Sequence, residues 1–322
     1  MTDIIPAVAT APPVVSIIIL NFKRREALAR CLASARAQTY PHREIVVVDN
    51  ASGDGIGEYL AREWPEARLV ALAENRGASG GRNAGIAAAA GDLLITVDND
   101  VYFEGPEELS RLVQTFAQCP EAQVLACQLC DEATGEVRVR EWCHARSWEE
   151  HRYTPFETHY FIEGASAYRR EVFDRCGGYY EPLFLCAEGD ELGLRILDAG
   201  FRIRFTPEVR LRHLLAAETR GRGRCIFYQT RNYVWIAYKD FHFRHGLAYA
   251  VRNLTIMAYF ALRNRQLGDF ARGIGRGLSG LKRVHADRSP IGAATVAHMR
   301  ELERWRPSLW ARLRRHRREI QL

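Results

Sequence analysis

Val14-Val15-Ser16-Ile17-Ile18-Ile19-Leu20 is an almost unbroken β-branched run, which predicts a strand buried on both faces. Behind it, residues 24–37 place Ala27, Leu28, Cys31, Leu32 and Ala35 at helical spacing. The alternation then repeats. Residues 44–48 predict a second strand after Pro41, a polar turn covers 49–55, and a helix follows over 56–64. A short strand is expected at 68–72, an Ala-rich helix at 78–90, a fourth strand at 92–97, and an apolar strand at 124–129. Strands separated by helices imply an α/β protein with a parallel sheet covered on both faces.

In such sheets ligands bind beyond the carboxyl ends of the strands. The residues there are Asn21; Asp49 and Asn50; Glu74, Asn75 and Arg76; and Asp98, Asn99 and Asp100. A nicotinamide-dependent dehydrogenase would carry a glycine-rich turn after its first strand. Asn21-Phe22-Lys23-Arg24 has no glycine, and Gly53-Asp54-Gly55-Ile56-Gly57 lacks the fingerprint spacing. Asp98 and Asp100, two residues apart past a buried strand, can face one hard cation. Asp and Asn equally favour a plain surface turn.

Composition bounds the class. At 322 residues, 47% apolar and 26% charged, the chain is globular and long enough for an ample core. Its apolar stretches fall far short of the ~20 residues that span a bilayer. Residues 1–13 have no basic start and no adequate apolar segment, so a flexible leader is expected rather than a signal peptide. The eight cysteines are scattered, and no disulfide framework is expected in a cytoplasmic chain. The net charge of +6 hides an asymmetry: residues 201–322 hold 26 Lys+Arg against 8 Asp+Glu, the first 200 hold 19 against 31. An acidic front and a basic tail should meet different partners.

The front blocks in order are Ser16 to Phe22; Gln38-Thr39-Tyr40; Val46 to Ser52; Asn75-Arg76-Gly77 with Arg82-Asn83-Ala84-Gly85; and Val97-Asp98-Asn99-Asp100. Further blocks are Phe161-Ile162-Glu163-Gly164-Ala165, Gly177-Gly178-Tyr179, Glu188 to Arg195, Ala199-Gly200-Phe201, and Val209 to His213. Together they resemble the inverting family 2 glycosyltransferases, in a rhamnosyltransferase-like branch. The resemblance implies a GT-A catalytic domain over 14–240, a single Rossmann-like mixed sheet flanked by helices. It implies a nucleotide diphosphate sugar donor, with Asp49 on the base, Asp98 on the ribose and Arg82 near the diphosphate. Asn21 and Asn75 complete the donor set. Mg²⁺ or Mn²⁺ would sit on Asp100, and His213 is the further metal ligand the family context suggests; imidazole suits Mn²⁺. Without that context, Arg82 reads as a helix-start arginine pairing with a neighbour such as Glu74, and His213 as structural.

One segment departs from the family pattern. The family's Glu-Asp-x-Asp-Leu, whose second residue is the catalytic base, aligns with Glu188-Gly189-Asp190-Glu191-Leu192. Glycine occupies the base position. Glu188 or Asp190 is expected to stand in, with Glu191 and Glu163 next. The plainer alternative is that these acids merely favour a helix N-terminus. Cys127-x-x-Cys130 with Cys143 and His144 makes a poor zinc site, because its first half lies in an apolar strand and adjacent Cys-His suits a tetrahedron badly.

Residues 241–322 predict a basic, amphipathic helical extension: apolar over 245–262, then 270–284 and 293–318 mixing Leu, Trp and Arg at helical spacing. Such helices, with Trp305 and Trp310, can lie in a membrane interface or pack as solvated helices on the catalytic domain. The expected activity is transfer of a hexosyl or deoxyhexosyl group with inversion to a saccharide or lipid-linked acceptor, in cell-surface polysaccharide or glycolipid assembly. The protein would be peripheral on the inner face of the cell membrane. Two rivals stand beside it: a catalytically silent relative, because of Gly189, and a nucleic-acid binder through the basic tail. The second lacks any reader motif, and its acidic front would repel phosphate.

Overall fold

The computed structural model describes residues 11–137, 139, 142–214 and 222–307. Its strands are β1 (Val15–Asn21), β2 (Arg43–Asp49), β3 (Ala67–Ala71), β4 (Leu93–Asp98), β5 (Val101–Phe103), β6 (Ala122–Asp131), β7 (Phe156–Thr158), β8 (Ala165–Arg169) and β9 (Arg202–His213). They form one sheet in the order β3-β2-β1-β4-β8-β6-β9-β5, with β7 on β9. The first four neighbours are parallel. The sheet then turns mixed, because β8 runs antiparallel to both β4 and β6. The β-α alternation of the first hundred residues foretold only the parallel half.

The apolar run of β1 divides its residues between two cores. Val15, Ile17 and Ile19 pack with Leu28 and Leu32 of α1 (Arg25–Arg36), Leu60 of α2 (Ile56–Glu63), and Leu112 and Phe116 of α4 (Glu108–Gln118). Ile18 packs on the other face with Ile86 of α3 (Gly77–Ala88), and with Leu192 and Ile196 of α7 (Glu188–Asp198). This is the period-two alternation of a strand covered on both sides. Each such fully buried aliphatic side chain contributes about 1.5–3 kcal/mol. A side-chain carbon added at Gly85 would lie 2.4 Å from Ile18 Cγ2, so the glycines of α3 let that helix sit directly on β1.

Two short helices, α5 (Trp148–His151) and α6 (Glu171–Cys176), precede α7. After β9 come α8 (Arg222–Lys239), α9 (Phe243–Arg263), α10 (Leu267–Ser279), α11 (Leu281–His285) and α12 (Ala293–Glu303). The stretch 270–284 is therefore two helices rather than one, divided at Gly280, a poor helix former. Of the expected helix over 293–318, the part from 308 onward, including Trp310, lies outside the described residues. These helices are not a detached tail. Trp235, Phe241, Val284, Ile291, Val296 and Met299 share a core with Leu183 and with Leu194 of α7. Among the described residues, no helix is long and apolar enough to cross a membrane.

Candidate active site

The parallel register brings three predicted residues to one edge of the sheet. Asn21 is the partner of Asp49, and Leu20 is the partner of Asp98. Past the end of β2, the Ser52 amide lies 3.3 Å from Asp49 Oδ1, which curls the turn back over the strand end. Asn21 is wholly buried and donates to Asp49 Oδ1 at 3.4 Å and to Ser52 Oγ at 3.3 Å. Asn99 donates to Asn21 Oδ1 at 2.8 Å and to the Lys23 carbonyl at 3.0 Å. Asn21, Ser52 and Asn99 thus fix where Asp49 stands. Sequence reading singled out Asp49 and Asn21 but gave Ser52 and Asn99 no role, although both sit in the blocks it used.

Asn75 shapes the entry to α3, its Oδ1 accepting from the Gly77 amide at 2.8 Å. One turn further, Arg82 is buried at 3% exposure. It does not pair with Glu74. Its guanidinium donates to Asp98 Oδ1 at 2.6 Å and to Glu188 Oε1 at 3.0 Å. Burial opposes its charge, but Asp98 and Glu188 more than offset this and hold it firmly protonated. Arg82 therefore links the end of β4 to the start of α7.

Asp100 and His213 approach from β5 and β9, where Val101 is the register partner of His213. His213 Nε2 lies 3.7 Å from Asp100 Oδ1, and Arg24 pairs with Oδ2 of the same carboxylate. One carboxylate oxygen and one imidazole nitrogen form a donor pair that suits Mn²⁺ and tolerates Mg²⁺. Among the described residues no third His, Cys, Asp or Glu joins them. The residues present fit a divalent ion.

At the start of α7 the four expected acids separate by role. Glu188 is 3% exposed and faces Arg82. Burial, and then the nearby Glu163 carboxylate, push its carboxyl up to about 8 despite Arg82. Burial and Glu163 likewise push Asp190 up to about 7, and its other neighbours include Arg306, Arg252 and Tyr233. Glu191 lies on another face, bonded to Arg195 Nη2 at 2.6 Å and to Lys239 Nζ at 2.7 Å. Burial works against its charge, but these two cations hold it below the usual carboxylate value. Cys127 lies inside β6, where burial pushes its thiol up, and His144 packs edge-on against Trp142 and Phe156.

A backbone strain adjoins α7. Phe184, Cys186 and Ala187 all have left-handed φ, at 64°, 68° and 62°. The segment is held from α8, where the buried Asn232 amide lies 3.0, 2.9 and 2.6 Å from the Leu183, Leu185 and Cys186 carbonyls.

A single mixed sheet whose parallel half carries carboxylates at its strand ends, flanked by helices on both faces, is a GT-A fold. The family model for glycosyl transferase family 2 matches residues 16–177, and the chain belongs to that family. It is 34% identical to the O-antigen biosynthesis protein RfbC of Myxococcus xanthus over 65% of this chain and 18% of that protein. It is 29% identical to the succinoglycan biosynthesis protein ExoO of Rhizobium meliloti over 75% of this chain and 64% of that protein. The chain thus spans less than two thirds of either relative. Among solved structures, S. aureus TarS 1-349 in complex with UDP-GlcNAc superposes with a TM-score of 0.59 at 17% identity, covering 85% of this chain and 83% of that one. The mannosyltransferase PcManGT of Pyrobaculum calidifontis, in complex with GDP-Man and Mn²⁺, gives 0.55 at 19% identity, covering 87% and 89%.

Proposed function

We propose that this chain is an inverting, divalent-metal-dependent glycosyltransferase that moves a hexosyl or deoxyhexosyl group from a nucleotide diphosphate sugar to a hydroxyl of a saccharide or lipid-linked acceptor. The observation that carries the reading is the convergence of Asp49, Asp98, Arg82, Glu188 and the Asp100–His213 pair at one edge of the sheet. Asp49 accepts the N–H of a uracil, thymine or guanine ring. Asp98 takes the ribose hydroxyls, its position fixed by Arg82. Asp100 and His213 would hold Mg²⁺ or Mn²⁺, which when bound offsets the charge of the diphosphate. A carboxylate beside the first turn of α7 takes the acceptor proton as the acceptor oxygen attacks the anomeric carbon from the face opposite the diphosphate.

The names of the relatives support a role in cell-surface polysaccharide or glycolipid assembly. A peripheral position on the inner face of the membrane is supported by Phe243, Leu247 and Val251, which project from one side of α9 at 79%, 54% and 58% exposure. The exposed Arg244 stands on the same helix, Arg265 in the turn after it, and Arg272 and Arg276 on the following helix. Gly189 favours a second reading, a relative that binds sugar nucleotides without turning them over; binding without release of nucleoside diphosphate would select it.

The test is a thermal-shift screen of the full chain against UDP-, GDP- and dTDP-linked sugars, with and without Mn²⁺. One nucleotide class should raise Tm in the presence of metal, by the equivalent of roughly 2.7 kcal/mol at a hundredfold excess over Kd. Asp100→Ala should remove the metal-dependent part and leave the ligand-free protein folded. Equal nucleoside diphosphate affinity in variant and parent, with metal present, would overturn the assignment.

A further inference from the structure

Gly189 occupies the helix position from which this family presents its base, and the space above it is filled from elsewhere in the chain. A side-chain carbon built on Gly189 would lie 2.4 Å from Glu163 Oε1, 2.7 Å from Glu163 Cδ and 2.9 Å from Glu163 Cγ. Its three closest neighbours all belong to one carboxyl group and its stem. The same Oε1 accepts from the Gly189 amide at 2.5 Å. Glu163 comes from the segment between β7 and β8, and two contacts set its backbone. Thr96 Oγ1 donates to the Glu163 carbonyl at 2.5 Å. Gly164 packs so closely on Asp98 that an added carbon would lie 2.6 Å from its carboxylate. The Glu163 carboxylate therefore stands between the strand end that carries Asp98 and the first turn of α7.

We infer that Glu163 is the catalytic base of this chain, a carboxylate supplied from the β7–β8 segment in place of the one its α7 helix lacks. This rests on the glycosyltransferase reading above and names the proton acceptor within it. The oxygens of an aspartate at 189 would lie about 2.4 Å from its Cβ, the same distance at which Glu163 Oε1 sits from that carbon position. A second carboxylate at 189 would collide with it and repel it, so Gly189 and Glu163 explain each other. The α7 acids are otherwise engaged. Glu188 is buried against Arg82, Glu191 is bonded to Arg195 and Lys239, and Asp190 is hydrogen-bonded to Tyr233 with Arg306 and Arg252 beside it. Glu163 is only half-buried. In the step itself the acceptor O–H bond breaks and its proton passes to a Glu163 carboxylate oxygen. The acceptor oxygen forms the new bond to the anomeric carbon, and the pair of the breaking C–O bond leaves on the diphosphate.

Glu163 also caps the α7 amide, so the experiment must separate basicity from capping. Glu163→Gln keeps an oxygen for the Gly189 N–H and removes the base. The full chain is assayed with the panel of UDP-, GDP- and dTDP-linked sugars and Mn²⁺, reading nucleoside diphosphate release, while binding of UDP or GDP with Mn²⁺ is followed by thermal shift. Glu163→Gln should lower turnover by roughly 10²–10⁴, the usual worth of a general base, with diphosphate affinity unchanged. Glu163→Ala/Gly189→Asp, which returns the carboxylate to the helix, should regain at least about tenfold over Glu163→Ala. Full turnover in Glu163→Gln overturns the inference and leaves the glycosyltransferase reading intact. So does a double variant with parental Tm and diphosphate affinity that stays at the Glu163→Ala rate. If the parent neither binds nor turns over any nucleotide sugar, the broader reading fails and the base assignment with it.

Discussion

Arg82 and Glu188 stand 106 positions apart in the chain, and the Arg82 guanidinium donates to the buried Glu188 carboxyl at 3.0 Å, with both side chains 4% exposed. Arg82 also holds Asp98 at 2.6 Å, so one guanidinium ties the end of β4 to the start of α7. Removing it would leave the buried Glu188 carboxyl without its hydrogen-bond partner, which costs about 1–3 kcal/mol. Arg82→Ala should therefore lower stability by that order in urea denaturation, and weaken nucleotide binding besides. A loss below about 1 kcal/mol, the range of an exposed pair, would show that the pair is not structural.

The same burial gives a pH dependence with a definite sign. The Glu188 carboxyl is raised from 4.5 to about 8 by burial and then by Glu163. Between those values the folded state keeps a proton that the unfolded chain has released, so this group's contribution falls as pH rises through the window. Glu188→Gln removes the titration. The Tm of the variant minus that of the parent should climb from about pH 4.5 to about pH 8 and level off above. A difference that falls over that range would contradict the assignment.

Asn232 of α8 offers a test of how the C-terminal helices serve the site. Its buried amide faces three carbonyls of the left-handed segment before α7. Such strain persists where the surroundings over-determine it, and unsatisfied buried groups cost about 1–3 kcal/mol. Asn232→Leu should lose stability of that order and lower turnover with little change in nucleotide affinity. Parental stability and turnover would show that the segment holds its shape unaided.

Membrane association can be read from vesicle sedimentation. Each basic residue near an anionic leaflet contributes about 1 kcal/mol, and Phe243, Leu247 and Val251 offer an apolar face beside such residues. The chain should sediment with anionic vesicles, less with neutral ones, and be partly released by salt. Phe243→Ser with Leu247→Ser should weaken this while leaving nucleotide binding unchanged. Truncation at 270 is unsuitable, because Val284, Val296 and Met299 belong to the core that also contains Leu194. No binding to anionic vesicles at low salt would sink the membrane role.

The local sequence was sufficient for the front of the fold. The β-branched run of β1, the apolar spacing of α1 and the polar punctuation between them are short-range signals, and each depends on neighbours within a few residues. The placement of Asp49, Asp98 and Asp100 at one edge of the sheet was legible for a related reason: in a parallel sheet, the residues at the carboxyl ends of the strands share one edge whatever the loops do. The antiparallel turn at β8 carried no such mark, since strand direction is decided by pairing rather than by the strand's own residues.

What the sequence could not say is which distant groups share a space. Gly189 read from the chain alone is a missing base. In three dimensions it is the gap that admits Glu163, a residue 26 positions earlier. Arg82 had Glu74 as its nearest partner by sequence and takes Asp98 and Glu188 instead. Glu191, one residue from Asp190, turns to Arg195 and Lys239 because successive residues on a helix point about 100° apart. The basic tail looked separable by charge, yet its helices close a core against α7. Charge and periodicity are properties of the chain, whereas burial, pairing and close packing arise only when segments far apart in sequence exclude water from the same volume.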